Sequence, residues 1–357
     1  MPHPLRLSPP SPAALSPAPL SRRAWLLGSA AACGGWIASP IQAQTQAQAP
    51  TAVQTVTLYT SNPKAVVQAA LRVIQRQAPQ LKVNVVYGGT GELLQRLAAE
   101  AAAPKADLLW GGAVGLLHHA LAHMQPYATP ELAAIAPPLV DPQHHWIGSN
   151  VHVLGMLVNT RKLRGHNAPE TWSDLLDPVW KGRIAIADPA RSGTAYMLLY
   201  GLQRQLGDQA LERLASNAVV LPTSSAVHQA VVAGKFAVAL TFEYAMQQHL
   251  DSGASHIRML YPSEGSYLVP EGMFLVKGSA NLPAARTLYD LLLDKPVQQT
   301  LLEQENRRPA RTDIALTQFS TLPELSALRI FELPAPQGEQ TPAHSLAVWR
   351  KAVAAAR

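Results

Sequence analysis

The chain has 357 residues, 48% hydrophobic and 15% charged, which is enough to bury a large core in two or so domains and excludes a disordered, fibrous or collagen-like protein. A single cysteine, Cys33, excludes a disulfide scaffold, a cysteine-based zinc site and an iron–sulfur cluster. The net charge is +6, but residues 1–43 hold three of the 29 basic residues and none of the 23 acidic ones, so the nearly balanced remainder lacks the basic face of a nucleic-acid binder.

The first 20 residues are rich in Pro and Ser and cannot build a core. Ser21-Arg22-Arg23-Ala24-Trp25-Leu26-Leu27 follows, and paired arginines before an apolar stretch resemble the twin-arginine export signal. The apolar stretch runs from Ala24 to Ala38, is broken by glycines and is short for a bilayer span. It is also the only long apolar run, which excludes a multi-span membrane protein. Ile41-Gln42-Ala43 offers a cleavage point. The reading is a signal peptide over 1–43 and a linker over 44–52, placing the protein in the periplasm; an uncleaved N-terminal anchor is the alternative. Cys33 follows three alanines as in a lipoprotein signal but lacks a leucine three residues earlier. Cleavage after Ala43 leaves no cysteine to oxidise in an oxidising compartment.

The body then alternates. Val53–Tyr59 reads as a half-buried strand, and Thr60-Ser61-Asn62-Pro63 as a helix start. A helix is expected over Ala65–Gln77, a strand over Lys82–Tyr87, a glycine-rich turn at Gly88–Gly91 and a helix over Glu92–Ala103. Ala106–Trp110 is a third strand, Gly111-Gly112 a turn and Val114–Met124 a helix. Strands alternating with helices predict an α/β fold with parallel strands, in which ligands sit at the carboxyl ends of the strands. Three loops fall there, carrying Thr60, Ser61, Asn62, Gly89, Thr90, Trp110 and Gly111. Helix N-termini suit anions, although the same residues also serve ordinary strand-to-helix turns. Ile147–Asn159 is a long strand, Pro169–Leu176 starts a helix, Ile184–Ala187 is a strand, and Asp188–Tyr196 turns into a helix over Met197–Leu206.

Here Trp172-Ser173-Asp174-Leu175-Leu176-Asp177-Pro178-Val179-Trp180-Lys181-Gly182-Arg183 precedes Asp188-Pro189-Ala190-Arg191-Ser192-Gly193-Thr194. This pattern resembles bacterial extracellular solute-binding proteins of ABC importers related to the ferric-ion-binding proteins. Ala233–Leu240, Tyr261–Gly272 and Arg307–Arg311 continue the resemblance, over residues 53–315. It implies the two-lobed periplasmic-binding-protein-like (type II) α/β fold with two crossing strands. Lobe 1 would begin with 53–150, lobe 2 would span 151–262, and 263–357 would supply the return strand, complete lobe 1 and add the C-terminal helices. Ligand would sit between the lobes, which close by hinge motion.

Ser192, Gly193, Thr194 and Ala195 form an anion cradle of hydroxyls and backbone N–H groups at a helix start, or a plain N-cap. Arg191 could add a charge, and Ser224 and Ser225 repeat the device. Ferric members of the family bind iron through two adjacent tyrosines. Here Glu243 stands where the first would be and only Tyr244 remains, too few anionic oxygens for ferric iron. Glu243 would instead accept from a ligand hydroxyl or amine, or form a salt bridge. His118, His119 and His123 have metal-capable spacing, but an exposed helix end explains them as well.

The resulting expectation is a non-enzymatic periplasmic protein that captures a small organic anion such as a phosphonate or sugar phosphate. It would hold no metal or cofactor, bind no nucleic acid, act as a monomer, and deliver its ligand to ABC permease subunits in the inner membrane. A sensor component for a membrane histidine kinase and an iron- or zinc-binding protein are the alternatives.

Overall fold

The computed structural model describes residues 53–331, 333 and 342–356. The expected signal peptide over 1–43, Cys33 and the linker over 44–52 lie outside the described residues. Strand β1 (Gln54–Thr60), helix α1 (Lys64–Gln77), strand β2 (Leu81–Tyr87), helix α2 (Thr90–Ala99) and strand β3 (Leu108–Ala113) follow in order. β1 pairs in parallel with both β2 and β3. α1 buries Val66, Val67, Ala70, Val73 and Ile74, an apolar stripe at helical spacing, and gives out at Ala78 before Pro79. β3 runs three residues past the expected Trp110, because Gly111 and Gly112 adopt φ of 113° and 106° without leaving the strand.

The helix expected over Val114–Met124 is only a single turn, α3 (Val114–Leu117), followed by a 3₁₀ helix over His118–His123. The tighter turn releases strand β4 (Met124–Gln125). Strand β5 (Ile147–Asn159) is buried along all 13 residues. After Trp172 only a 3₁₀ turn forms, Ser173–Leu176, because Asp177 is extended ahead of Pro178. Strand β6 (Ile184–Ala187), helix α4 (Gly193–Leu206), helix α5 (Asp208–Asn217), strand β7 (Ala218–Leu221), helix α6 (Ser224–Val232), strand β8 (Val238–Phe242), helix α7 (Glu243–Asp251) and strand β9 (Ile257–Leu260) build the second half. α4 starts four residues before the expected Met197, since Ser192 caps it. Strand β10 (Ser266–Val276), helix α8 (Leu282–Leu293), helix α9 (Lys295–Glu305), strand β11 (Arg308–Pro309), strand β12 (Ile330–Phe331) and helix α10 (Pro342–Ala355) complete the described chain.

The sheet order is β2-β1-β3-β10-β5-β8-β6-β7. Two strands make it two-lobed. β5 pairs with β10 through Ile147–Val153 and then with β8 through Leu154–Val158. β10 in turn pairs with β3, so both strands carry chain between the halves. Of the buried apolar clusters the two largest fall one to each lobe: one gathers Leu58, Ile74, Leu108, Met273 and Leu288, and the other Leu157, Trp172, Ile184, Tyr196 and Val227. The C-terminal helices divide between them. α8 and α9 cover lobe 1, whereas α10 inserts Trp349 and Ala352 into the core of lobe 2. The chain therefore passes toward lobe 2 once more after its two crossing strands. Among the described residues no helix is long and apolar enough to cross a membrane.

Candidate functional site

A cavity of about 550 Å³ lies where the loops of the two lobes face each other. Its walls are made of helix starts. The N-cap residues of α1, α2, α4, α6 and α7, namely Pro63, Gly89, Ser192, Thr223 and Phe242, all line it. Each helix begins there because its parallel strand ends there, and short polar or glycine-rich turns join the two. Ser192 Oγ accepts from Ala195 N at 3.2 Å, and Thr223 Oγ1 from Ala226 N at 3.1 Å. α1, α2 and α7 carry no side-chain cap. Five positive dipole ends therefore converge on one space. Ser192 and Ser224 join their hydroxyls at 2.8 Å, and Thr90 Oγ1 donates to Ser61 Oγ at 3.2 Å.

The floor is a buried polar network. Arg307, 1% exposed, donates from Nη1 to Glu271 Oε2 at 3.2 Å and lies 2.9 Å from His152 Nε2, which is itself 2.8 Å from Glu271. Nε2 carries either a proton or a lone pair, so one tautomer serves Glu271 and the other Arg307. Asn62 and Asn150 donate to Glu271 Oε1 at 2.9 and 3.0 Å. The Arg307 guanidinium stacks 3.8 Å from the Tyr244 ring centroid. Burial alone would raise the Glu271 carboxyl, but the Arg307 charge and the His152 hydrogen bond outweigh it and hold the group at about 2. Burial pushes His152 down to about 4 despite its bond to Glu271. Burial also raises the Tyr244 phenol, against the pull of Arg307. The floor is a neutral unit in which Arg307 and Glu271 cancel. Further out, Lys64 and Arg191 line the cavity, opposed by Glu92.

Of the residues expected from sequence, Thr60, Ser61, Asn62, Gly89, Thr90, Ser192, Gly193, Thr194, Ser224, Ser225 and Tyr244 all line this cavity. Four others lie elsewhere. Trp110 is fully buried in the lobe 1 core, its Nε1 donating to Ser149 Oγ at 3.0 Å. Gly111 lies under the Ser61–Asn62 loop, where a Cβ would come within 2.8 Å of Ser61 Oγ. Ala195 packs in the lobe 2 core. Glu243 turns away from the cavity: it forms a buried ion pair with Arg308 and accepts from Tyr261 Oη at 2.7 Å. The charged floor had a faint signal in the sequence, since His152 and Glu271 are titratable residues inside otherwise apolar strand runs. Among the described residues no group of three or more His, Cys, Asp or Glu side chains is placed to hold a metal ion. The side chains of His118 and His119 lie outside the described residues.

A family model described as bacterial extracellular solute-binding protein matches residues 104–328. An iron uptake protein A1 of Synechocystis is 25% identical over 255 residues, 66% of this chain and 70% of its own. A putative 2-aminoethylphosphonate-binding periplasmic protein of Salmonella typhimurium is 25% identical over 253 residues, 67% of this chain and 72% of its own. The solved periplasmic binding protein P5PA superposes with a TM-score of 0.76 at 22% identity, over 85% of this chain and all of that one.

Proposed function

The chain belongs to the bacterial extracellular solute-binding protein family, whose members serve ABC transporters, and from that premise we propose that it captures a small organic anion, such as a phosphonate or a sugar phosphate, in the cleft between its lobes. One observation carries this reading: five helix N-termini surround one cavity whose rim carries Lys64 and Arg191 against the single carboxylate of Glu92, while the charge on its floor is self-cancelling. An anion entering this space meets the starts of α1, α4, α6 and α7, and Lys64 and Arg191 outnumber the one carboxylate, Glu92, at the rim. Ferric iron would meet the opposite field, since Tyr244 already stacks against the Arg307 guanidinium and Glu271 is already neutralised. The 2-aminoethylphosphonate-binding relative supports an anionic ligand, whereas the iron uptake relative is the competing precedent. The protein acts without enzymatic turnover and as a monomer, and hands its ligand to permease subunits in the inner membrane. Ser21-Arg22-Arg23 directs its export by the twin-arginine route.

Thermal unfolding against a panel tests this: phosphonates, sugar phosphates, phosphoglycerates, dicarboxylates, ferric citrate and zinc. Ligand at 100 times its dissociation constant adds about 2.7 kcal/mol. A shift with a phosphorylated or phosphonate compound is expected; a shift with ferric citrate or zinc alone would overturn the anion reading.

A further inference from the structure

Gly89 and Gly91 have no conformational need to be glycine. Gly89 has φ −68° and ψ 149°, open to any residue, and Gly91 lies in the first turn of α2, where alanine makes a better helix. What the two positions lack is room. A Cβ on Gly89 would lie 2.6 Å from the carbonyl oxygen of Arg191, and one on Gly91 2.5 Å from that of Ala190. Both oxygens belong to the opposite lobe. They sit on a turn that cannot easily yield: Arg191 N and Ser192 N both donate to Asp188 O, at 3.0 and 2.8 Å, and Ala190 N donates to Asp188 Oδ1 at 3.0 Å. The same turn delivers Ser192 and Gly193 to the cavity wall. Two partially negative carbonyls thus rest against the uncapped, positive end of α2, where no side chain intervenes.

We propose that Gly89 and Gly91 are positioning residues that set how far the cleft closes. They let the Ala190–Arg191 carbonyls seat on the start of α2, and this contact fixes the distance between the lobe 1 and lobe 2 halves of the binding site. Contacts under 3.0 Å are essentially never made by a real Cβ, so a methyl on Gly91 holds the lobes at least 0.5 Å further apart there. A ligand hydrogen-bonded to both lobes then has its bonds stretched toward the length at which they fail. The inference depends on the two-lobed fold and not on the ligand's identity.

Disulfide trapping reads closure without a ligand. A Cβ on Gly193 would stand 3.3 Å from Thr90 Oγ1 across the cleft, close to what a disulfide needs. In the full chain carrying Cys33→Ser, the pair Thr90→Cys and Gly193→Cys is expected to cross-link under mild oxidation, seen as a mobility change on a non-reducing gel. Adding Gly91→Ala, or separately Gly89→Ala, is expected to slow trapping at least tenfold while the reduced proteins unfold at their parent's temperature. Gly88→Ala, whose nearest neighbours are the Leu93 and Glu92 side chains of its own lobe and whose tightest contact, 2.9 Å, is with the flexible end of Leu93, is the control and should leave the rate unchanged. Trapping at the parental rate in both glycine variants would overturn the proposal, as would failure of the parent pair to cross-link. A panel in which no anion binds would instead count against the proposed ligand class and leave this result standing.

Discussion

Replacing Glu243 by alanine is expected to cost stability and to spare ligand binding. Read along the chain, Glu243 stands where a ligand contact is expected. In the structure it is 1% exposed and holds Arg308 through Nε and Nη2, with Tyr261 Oη on the same carboxylate. Glu243→Ala leaves the Arg308 guanidinium buried with the Pro323 carbonyl as its remaining contact in this network. Removing one partner of a buried ion pair costs about 3–5 kcal/mol. An unfolding entropy of roughly 2.1 cal/mol/K per residue over about 300 residues is about 0.6 kcal/mol/K, so the expected drop in Tm is about 5–8 °C. Adding Arg308→Met removes the stranded charge and should recover most of the loss. Calorimetry measures the stability, and titration with the anion that gives the largest shift in the panel measures binding. Affinity is expected to stay within about twofold, because Glu243 does not reach the cavity. A tenfold loss of affinity at the parental Tm would instead place the carboxylate on the ligand.

Three further outcomes follow from particular contacts. Ser192→Ala removes the α4 cap and the Ser224 partner, and should cost about 1 kcal/mol of stability together with at least a fivefold loss of anion affinity; unchanged binding by titration would take that hydroxyl out of the site. His152 is held at about 4 against 6.5, so as pH falls from 6.5 the unfolded chain binds a proton first and stability is lost down to about pH 4, by up to about 3 kcal/mol. Glu271, held at about 2 against 4.5, contributes stability that is present above pH 4.5 and fades as pH falls toward 2. Urea midpoints against pH should therefore lose their dependence in the upper window in His152→Gln, and an unchanged slope there would discount His152. Trp349→Ala should cost about 3–5 kcal/mol in chemical denaturation because Trp349 is 3% exposed in the lobe 2 core; a loss under 1 kcal/mol would detach α10 from that core.

The regular part of the fold was legible because it is periodic. The limits of β5 are legible because Val151–Val158 is rich in β-branched and other apolar residues, broken only by His152 and Gly155, and Thr160 follows, whereas α1 begins one residue before the expected Ala65. Errors came where local pattern met a tertiary demand. The stretch after Val114 looks helical, yet the chain must leave the helix early to pair Met124 and Gln125 with β10. Gly111 and Gly112 read as a turn but stay in β3, because glycine makes positive φ available without requiring a reversal. The position of α10 was not readable at all, since an apolar helix face does not say which lobe it covers.

For the site, composition located the loops but could not orient individual side chains. Glu243 and Tyr244 are neighbours at the start of α7, and successive helical residues diverge by about 100°. Tyr244 faces the cavity and Glu243 faces β11, a distinction fixed by Arg308 some 65 positions away. Trp110 fails for the related reason that alternate strand residues take opposite faces. Arg307 and Glu271 are 36 positions apart and mean little separately. Brought together they cancel, and that cancellation decides the chemistry of the cavity. An unpaired Arg307 would make the floor the anion's counter-ion. Paired with Glu271, it leaves that role to the helix starts and to Lys64 and Arg191 nearer the mouth. Under the proposed function, the ligand's charge would sit at the rim where the lobes meet, and lobe closure and anion capture would be one event.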